Sequence, residues 1–128
     1  MRAETQNIVA EIEKSLELLA QRMDWDTAQH RMEEFNARVE DPNLWDDPDA
    51  AQKLMRERQT LLDQIETYEG IKQDLSDQQE LIELGEMEDD QEVVTEAEQA
   101  LKSLRDMAAK KELEALLKIE EDLTKVTA

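Results

Sequence analysis

Apolar residues return at steps of three and four along most of this chain, the spacing of one face of an α-helix. Val9, Ile12, Leu16, Leu19 and Met23 mark a first stripe, which Ile8 and Leu18 widen. Ala28, Met32, Phe35 and Val39 continue the rhythm in a second segment. The junction Met23-Asp24-Trp25-Asp26 holds neither Pro nor Gly. Residues 2–40 therefore read either as one kinked helix or as two, with Asp24 or Asp26 available as a cap.

A third segment has a defined start. Asp47 is placed to accept a hydrogen bond from a first-turn N–H, and Pro48 fits the first helical position, where its missing N–H costs nothing. Leu54, Leu61, Ile65, Tyr68, Leu75 and Ile82 mark its face, with Leu62, Ile71 and Leu81 beside them. Gly70 lies inside this pattern and is expected to cost about 1 kcal/mol relative to Ala without ending the helix. Near Gly85 the pattern stops and acids gather at Glu86, Glu88, Asp89 and Asp90. Asp89 with Glu92 fits a capping box for a fourth segment carrying Val94, Ala97, Leu101, Leu104, Ala108, Leu113, Leu116 and Leu117.

The spacing predicts an all-α fold. Segments one and two together, segment three, and segment four form three rods, each roughly 50–60 Å at about 1.5 Å per residue. Short connections make neighbouring rods antiparallel, and heptad-like spacing favours shallow, coiled-coil-like crossings. The expected architecture is an elongated up-down-up helical bundle, its first rod either split or kinked.

Between the rods lies the only Pro-bearing stretch, Asp41 to Asp49. Pro42 and Pro48 bar a continuous helix, so the chain must bend there. The aromatic supply is one Phe, one Tyr and two Trp, so the core must be mainly aliphatic. Leu44 and Trp45 are expected to plug the bundle end at this corner, where each buried side chain would contribute roughly 1.5–3 kcal/mol. Asp41, Pro42, Leu44, Trp45, Asp47 and Pro48 form the expected structural signature of the loop.

Composition narrows the partners. The 128 residues hold 34 acidic and 15 basic side chains, a formal charge of −19. Such a surface is repelled by phosphate backbones and anionic membranes, so direct nucleic-acid and membrane binding are not expected, and a protein partner with a basic patch is. The bland alternative is that the charge only keeps exposed helices in solution. There is no Cys, so thiolate metal sites and disulfides are excluded. With no signal-peptide pattern and no long apolar run, the expected location is the cytoplasm.

Catalytic chemistry is hard to build here. His30 is the single His, flanked by Gln29 and Arg31. The acid pairs Asp46/Asp47 and Asp89/Asp90, and Asp24 with Asp26, lack the central Gly and terminal Glu of a calcium loop and read as helix caps. Ser15, Ser76 and Ser103 sit within helical pattern without an elbow motif. The two glycines, Gly70 and Gly85, form no phosphate loop. No catalytic, cofactor-binding or metal-binding residue is expected, and the chain is expected not to be an enzyme by itself.

The stretch from Met23 to Leu61 carries a more specific signal. It contains Asp24-Trp25-Asp26, then Met32-Glu33-Glu34, then Asp41-Pro42-Asn43-Leu44-Trp45, then Pro48 to Gln52. This set closely resembles the N-terminal domain of the bacterial class I peptide chain release factors, in the branch that decodes UAA and UGA. A weaker likeness continues through Leu81-Ile82-Glu83-Leu84, Asp89-Asp90 and Ala97 to Leu104, and ends near Leu117. Residues 1–117 thus resemble one helical domain. From Lys118 to Ala128 the sequence departs from the family's pattern, while Ile119, Leu123 and Val126 keep helical spacing and are expected to extend the last helix.

The resemblance implies a part in translation termination. Members of that branch read stop codons with a Ser-Pro-Phe tripeptide and trigger hydrolysis of peptidyl-tRNA with a Gly-Gly-Gln motif; neither occurs in this sequence. It implies the ribosomal stalk base as a partner, and a recycling GTPase nearby. A competing reading, from the long apolar stripes alone, is a self-associating acidic coiled coil. A third, from charge alone, is an acidic mimic that competes for a basic nucleic-acid-binding surface.

Overall fold

The α-helices fall where the apolar stripes put them. The computed structural model describes the backbone of residues 1–127 and the side chains of residues 1–118. Its helices are α1 (Ala3–Met23), α2 (Trp25–Val39), α3 (Pro48–Met87) and α4 (Gln91–Thr127), with a short 3₁₀ turn at Leu44–Asp46. No strand occurs among the described residues. The helix α4 reaches Thr127, whereas the side chains of Ile119, Leu123 and Val126 lie outside the described residues.

Residues 2–40 form two helices, and the break is local. Asp24 adopts a left-handed conformation with φ 55°, which short polar side chains tolerate better than most. Its side chain caps no backbone N–H of α2, contrary to the simplest expectation. Asp24 Oδ2 instead accepts a bond from the Thr27 hydroxyl at 2.8 Å. A break leaves carbonyls without helical partners. Arg31 supplies them: its Nη2 donates to Met23 O and, at 3.3 Å, to Asp24 O, while its Nε donates to Thr27 Oγ1 at 3.1 Å.

The chain forms two compact units, residues 20–69 and residues 1–19 with 70–128. In the first, α2 and the N-terminal part of α3 run antiparallel around the corner. Trp25 lies against Tyr68, with ring centroids 4.6 Å apart, and Arg58 Nε donates to Asn36 Oδ1 at 2.8 Å further along the pair. Met23, Ala28, Leu61 and Ile65 form the buried cluster, and Trp25, Met32, Phe35 and Tyr68 pack against it. Ala28 is fully buried, so its small side chain lets the helices approach closely.

In the second unit, α1 and α4 run parallel and the C-terminal part of α3 runs against both. Thr5 meets Glu98, and one turn and a half later Glu11 Oε2 lies 3.6 Å from Arg105 Nε. The buried apolar residues are Ile8, Val9, Ile12 and Leu16 from α1, Ile71, Leu75 and Ile82 from α3, and Val94, Ala97, Leu101, Leu104 and Ala108 from α4. This up-down-up order matches the expectation from short connections.

The α3–α4 turn differs in detail from the expected capping box. Asp89 is not the cap. It takes the left-handed position with φ 54° that ends α3, where Gly is commoner. Asp90 N donates to Gly85 O at 2.8 Å and Asp89 N to Glu86 O at 3.3 Å, the paired bonds of a Schellman ending. Asp90 Oδ1 then accepts from Val93 N at 3.3 Å and caps α4. Helix α3 also runs past Gly85 to Met87. Gly85 is buried because α4 begins over it: a Cβ there would stand 2.8 Å from Val94 Cγ2.

Candidate functional site

Two places carry unusual chemistry, one in each unit. The first is the Asp-Pro corner that the sequence singled out. Asp41 Oδ1 accepts from Asn43 N at 2.9 Å, and Asp41 O from Leu44 N at 3.1 Å. Asp46 N then donates to Asn43 O at 3.1 Å, which completes the 3₁₀ turn. Asp47 Oδ1 accepts from Ala50 N at 3.2 Å, and Pro48 opens α3, both as the sequence requires. Pro42 follows the end of α2 and blocks its continuation.

The corner's largest side chain is not where the spacing put it. Trp45 is 59% exposed and plugs nothing. Leu44 is half-buried and is the only apolar residue of the turn that faces inward to any degree. The physical reason lies in the turn itself. Its hydrogen bonds come from Asp41, Asn43 and Asp47, so the corner is held by polar side chains and backbone and does not need an indole as filler. The aromatic role in this unit belongs to Trp25, which the spacing alone left at a helix junction.

The second place was not visible as a site in the sequence. Glu98 is 5% exposed and Thr5 2% exposed. Thr5 Oγ1 donates to Glu98 Oε2 at 2.5 Å, and Arg2 donates to the same oxygen through Nη2 at 2.7 Å and Nε at 3.0 Å. The Thr5 hydroxyl and then the Arg2 guanidinium hold the Glu98 carboxyl below its ordinary value, against the opposing effect of burial. The same carboxylate raises Arg2 above its ordinary value. Beside this group the Met1 ammonium lies 3.0 Å from Glu86 Oε1, on the edge of a groove of about 350 Å³ that Ile82 and Val94 also line.

A signal for this network did exist. Thr5 extends the α1 stripe one turn before Ile8 and Val9, and Glu98 stands on the α4 stripe between Val94 and Leu101. Two polar residues on facing apolar stripes need each other, because a buried polar group without a partner is costly. All described buried side-chain polar atoms are satisfied.

The Glu98 carboxylate is occupied by donors and held ionised, the opposite of the tuning that a general acid or base near neutral pH requires. His30 is exposed, and its Nε2 lies 3.0 Å from Glu34 Oε1, one turn along α2. Among the described residues no group of three His, Cys, Asp or Glu side chains could hold a metal ion. Among the same residues no helix is long and apolar enough to cross a membrane.

Comparison with known proteins converges with the corner motif. The model of the PCRF domain matches residues 28–127. Over 122 residues, 95% of this chain, the sequence is 70% identical to peptide chain release factor 2 of Ruegeria sp. strain TM1040. The same span is 66% identical to the factor of that name in Roseobacter denitrificans and 47% identical to that of Paramagnetospirillum magneticum. In all three the match covers 33% of the relative, so the chain spans about a third of their length. An all-helical pattern could arise by chance among acidic proteins, but this identity, running through the Asp-Pro corner, could not: the chain belongs to the peptide chain release factor family through its PCRF domain.

Proposed function

We propose that this chain is the helical N-terminal domain of a translation termination factor that reads UAA and UGA and promotes peptidyl-tRNA hydrolysis in its full length. The observation that carries the reading is the 70% identity to peptide chain release factor 2 across almost the whole chain. Residues 1–117 form the body of the domain, and the tail that follows extends its last helix as far as Thr127, within the stretch that the PCRF model matches. The domain is non-catalytic: the sequence holds neither a Gly-Gly-Gln nor a Ser-Pro-Phe motif, and the one buried carboxylate among the described residues is bound by Thr5 and Arg2. Its work is to engage the ribosome at the stalk base, near the GTPase that recycles the factor, in the cytoplasm. A charge of −19 supports contact through ribosomal protein over contact through RNA.

The test adds the isolated chain to ribosomes stalled at a stop codon with labelled peptidyl-tRNA. The expected result is no peptide release, together with slower release by the full-length factor when the chain is in excess. Stop-codon-dependent hydrolysis by the chain alone would overturn the division of labour. Failure to compete at any concentration would overturn the docking role.

A further inference from the structure

The feature that the fold does not use is the indole of Trp45. It is 59% exposed on a turn held by side-chain and backbone hydrogen bonds, so it is presented on a fixed support. An exposed tryptophan contributes nothing to the core, yet Trp is the residue type most enriched among the anchors of protein interfaces. Its surroundings select the partner. Glu40, Asp41, Asp46, Asp47 and Asp49 are all exposed, and no Lys or Arg occurs between Arg38 and Lys53. Five exposed carboxylates between positions 40 and 49, in the same stretch as the indole, repel phosphate and anionic lipid and attract cations. A guanidinium is the cation that both stacks flat on an indole and takes a forked bond from a carboxylate.

We propose that the Trp45 corner is a docking surface for an arginine-bearing protein segment. An arginine of the partner stacks on the Trp45 indole, and its neighbouring basic residues lie against Asp46 and Asp49. Leu44, the half-buried neighbour of Trp45 in the same turn, adds apolar surface. The assignment stands on this corner's own chemistry and does not depend on the ribosome.

The test uses the whole chain labelled with 5-fluorotryptophan, so that Trp25 and Trp45 give separate fluorine resonances. The probe is a synthetic nonapeptide, Arg-Leu-Arg-Arg-Leu-Arg-Arg-Leu-Arg, with a lysine-for-arginine copy and a uridine dodecamer as comparators. The expected result is a saturable shift of the Trp45 resonance with the Trp25 resonance still. Trp45→Ala should weaken binding by about tenfold or more, the loss typical of an interface anchor. Asp46→Asn with Asp49→Asn should weaken it further at low salt than at high salt. An unmoved Trp45 resonance, unchanged affinity in Trp45→Ala, equal affinity for the lysine copy, or tighter binding of the uridine oligomer at Trp45 would each overturn the assignment. Circular dichroism of each variant separates lost binding from lost folding.

Discussion

Adding one methyl group at each glycine of α3 should move stability in opposite directions. Both Gly70 and Gly85 lie within a helix, so Gly→Ala at either gains about 1 kcal/mol of helix propensity. At Gly70 the new Cβ meets nothing within 4 Å, and the gain stands alone. At Gly85 the Cβ stands 2.8 Å from Val94 Cγ2, 3.3 Å from Val93 Cγ1 and 3.2 Å from the Asp90 carbonyl oxygen. The two valines can shift slightly, but the carbonyl belongs to the residue that caps α4, so the turn itself must give. Overpacking of this kind costs about 1–3 kcal/mol. Gly70→Ala is expected to raise the urea unfolding free energy by about 1 kcal/mol. Gly85→Ala should fall about 1–3 kcal/mol below Gly70→Ala, because propensity cancels between them. Urea titrations followed by far-ultraviolet circular dichroism measure both. Adding Val94→Ala should recover part of the Gly85→Ala loss, a coupling between neighbours. Equal stability of the two alanine variants, or no coupling to Val94, would refute the close approach of α4 to Gly85.

Two further outcomes follow from the described side chains. Trp45→Ala should change stability by less than about 0.5 kcal/mol, as for other surface sites, whereas Trp25→Ala should cost about 3 kcal/mol, the low end for a large core residue because its ring is half-buried; chemical denaturation of both variants ranks them, and the reverse order would refute the placement of the two indoles. Thr5→Val should cost about 1.5–3 kcal/mol at pH 7, since it removes a donor to a buried charge. The sign with pH follows from the lowered Glu98 value: the stabilisation is present in full above 4.5, the ordinary value, and fades as pH falls through the lower value of the folded state. Urea midpoints for the parent and Thr5→Val should therefore converge in acid, and a gap that widens there would refute the assigned role of the hydroxyl.

Much of the helix pattern was legible because a helix advertises its buried face by spacing. Ile12, Leu16, Ile71, Ile82, Leu101 and Ala108 all lie where the stripes put them, and all are buried. The start of α3 was legible because Asp47 and Pro48 each suit one backbone position and few others. Trp45 was misplaced because hydrophobic size argues for burial only where the fold has room to receive it. A turn tied by Asp41, Asn43 and Asp47 leaves no vacancy for an indole. Asp89 and Asp90 were exchanged because both can cap, and only the backbone angle at Asp89 decides between them. The Arg2–Thr5–Glu98 group was missed because Glu98 stands more than ninety positions from Arg2 and Thr5, a pairing that no local window reports.

The division of the chain into units also sets an order of assembly. Residues 20–69 are contiguous, so their buried cluster can close soon after that stretch leaves the ribosome on which it is made. Residues 1–19 instead need partners from 70 onward, and Thr5 reaches Glu98 only across 93 positions. Joining such distant segments is slow relative to local closure. Helix α1 must wait, with Ile8, Val9 and Ile12 unsheltered, until the C-terminal part of α3 has been made, and its full cover comes only with α4. During that interval those three residues are where a nascent-chain chaperone would find its grip.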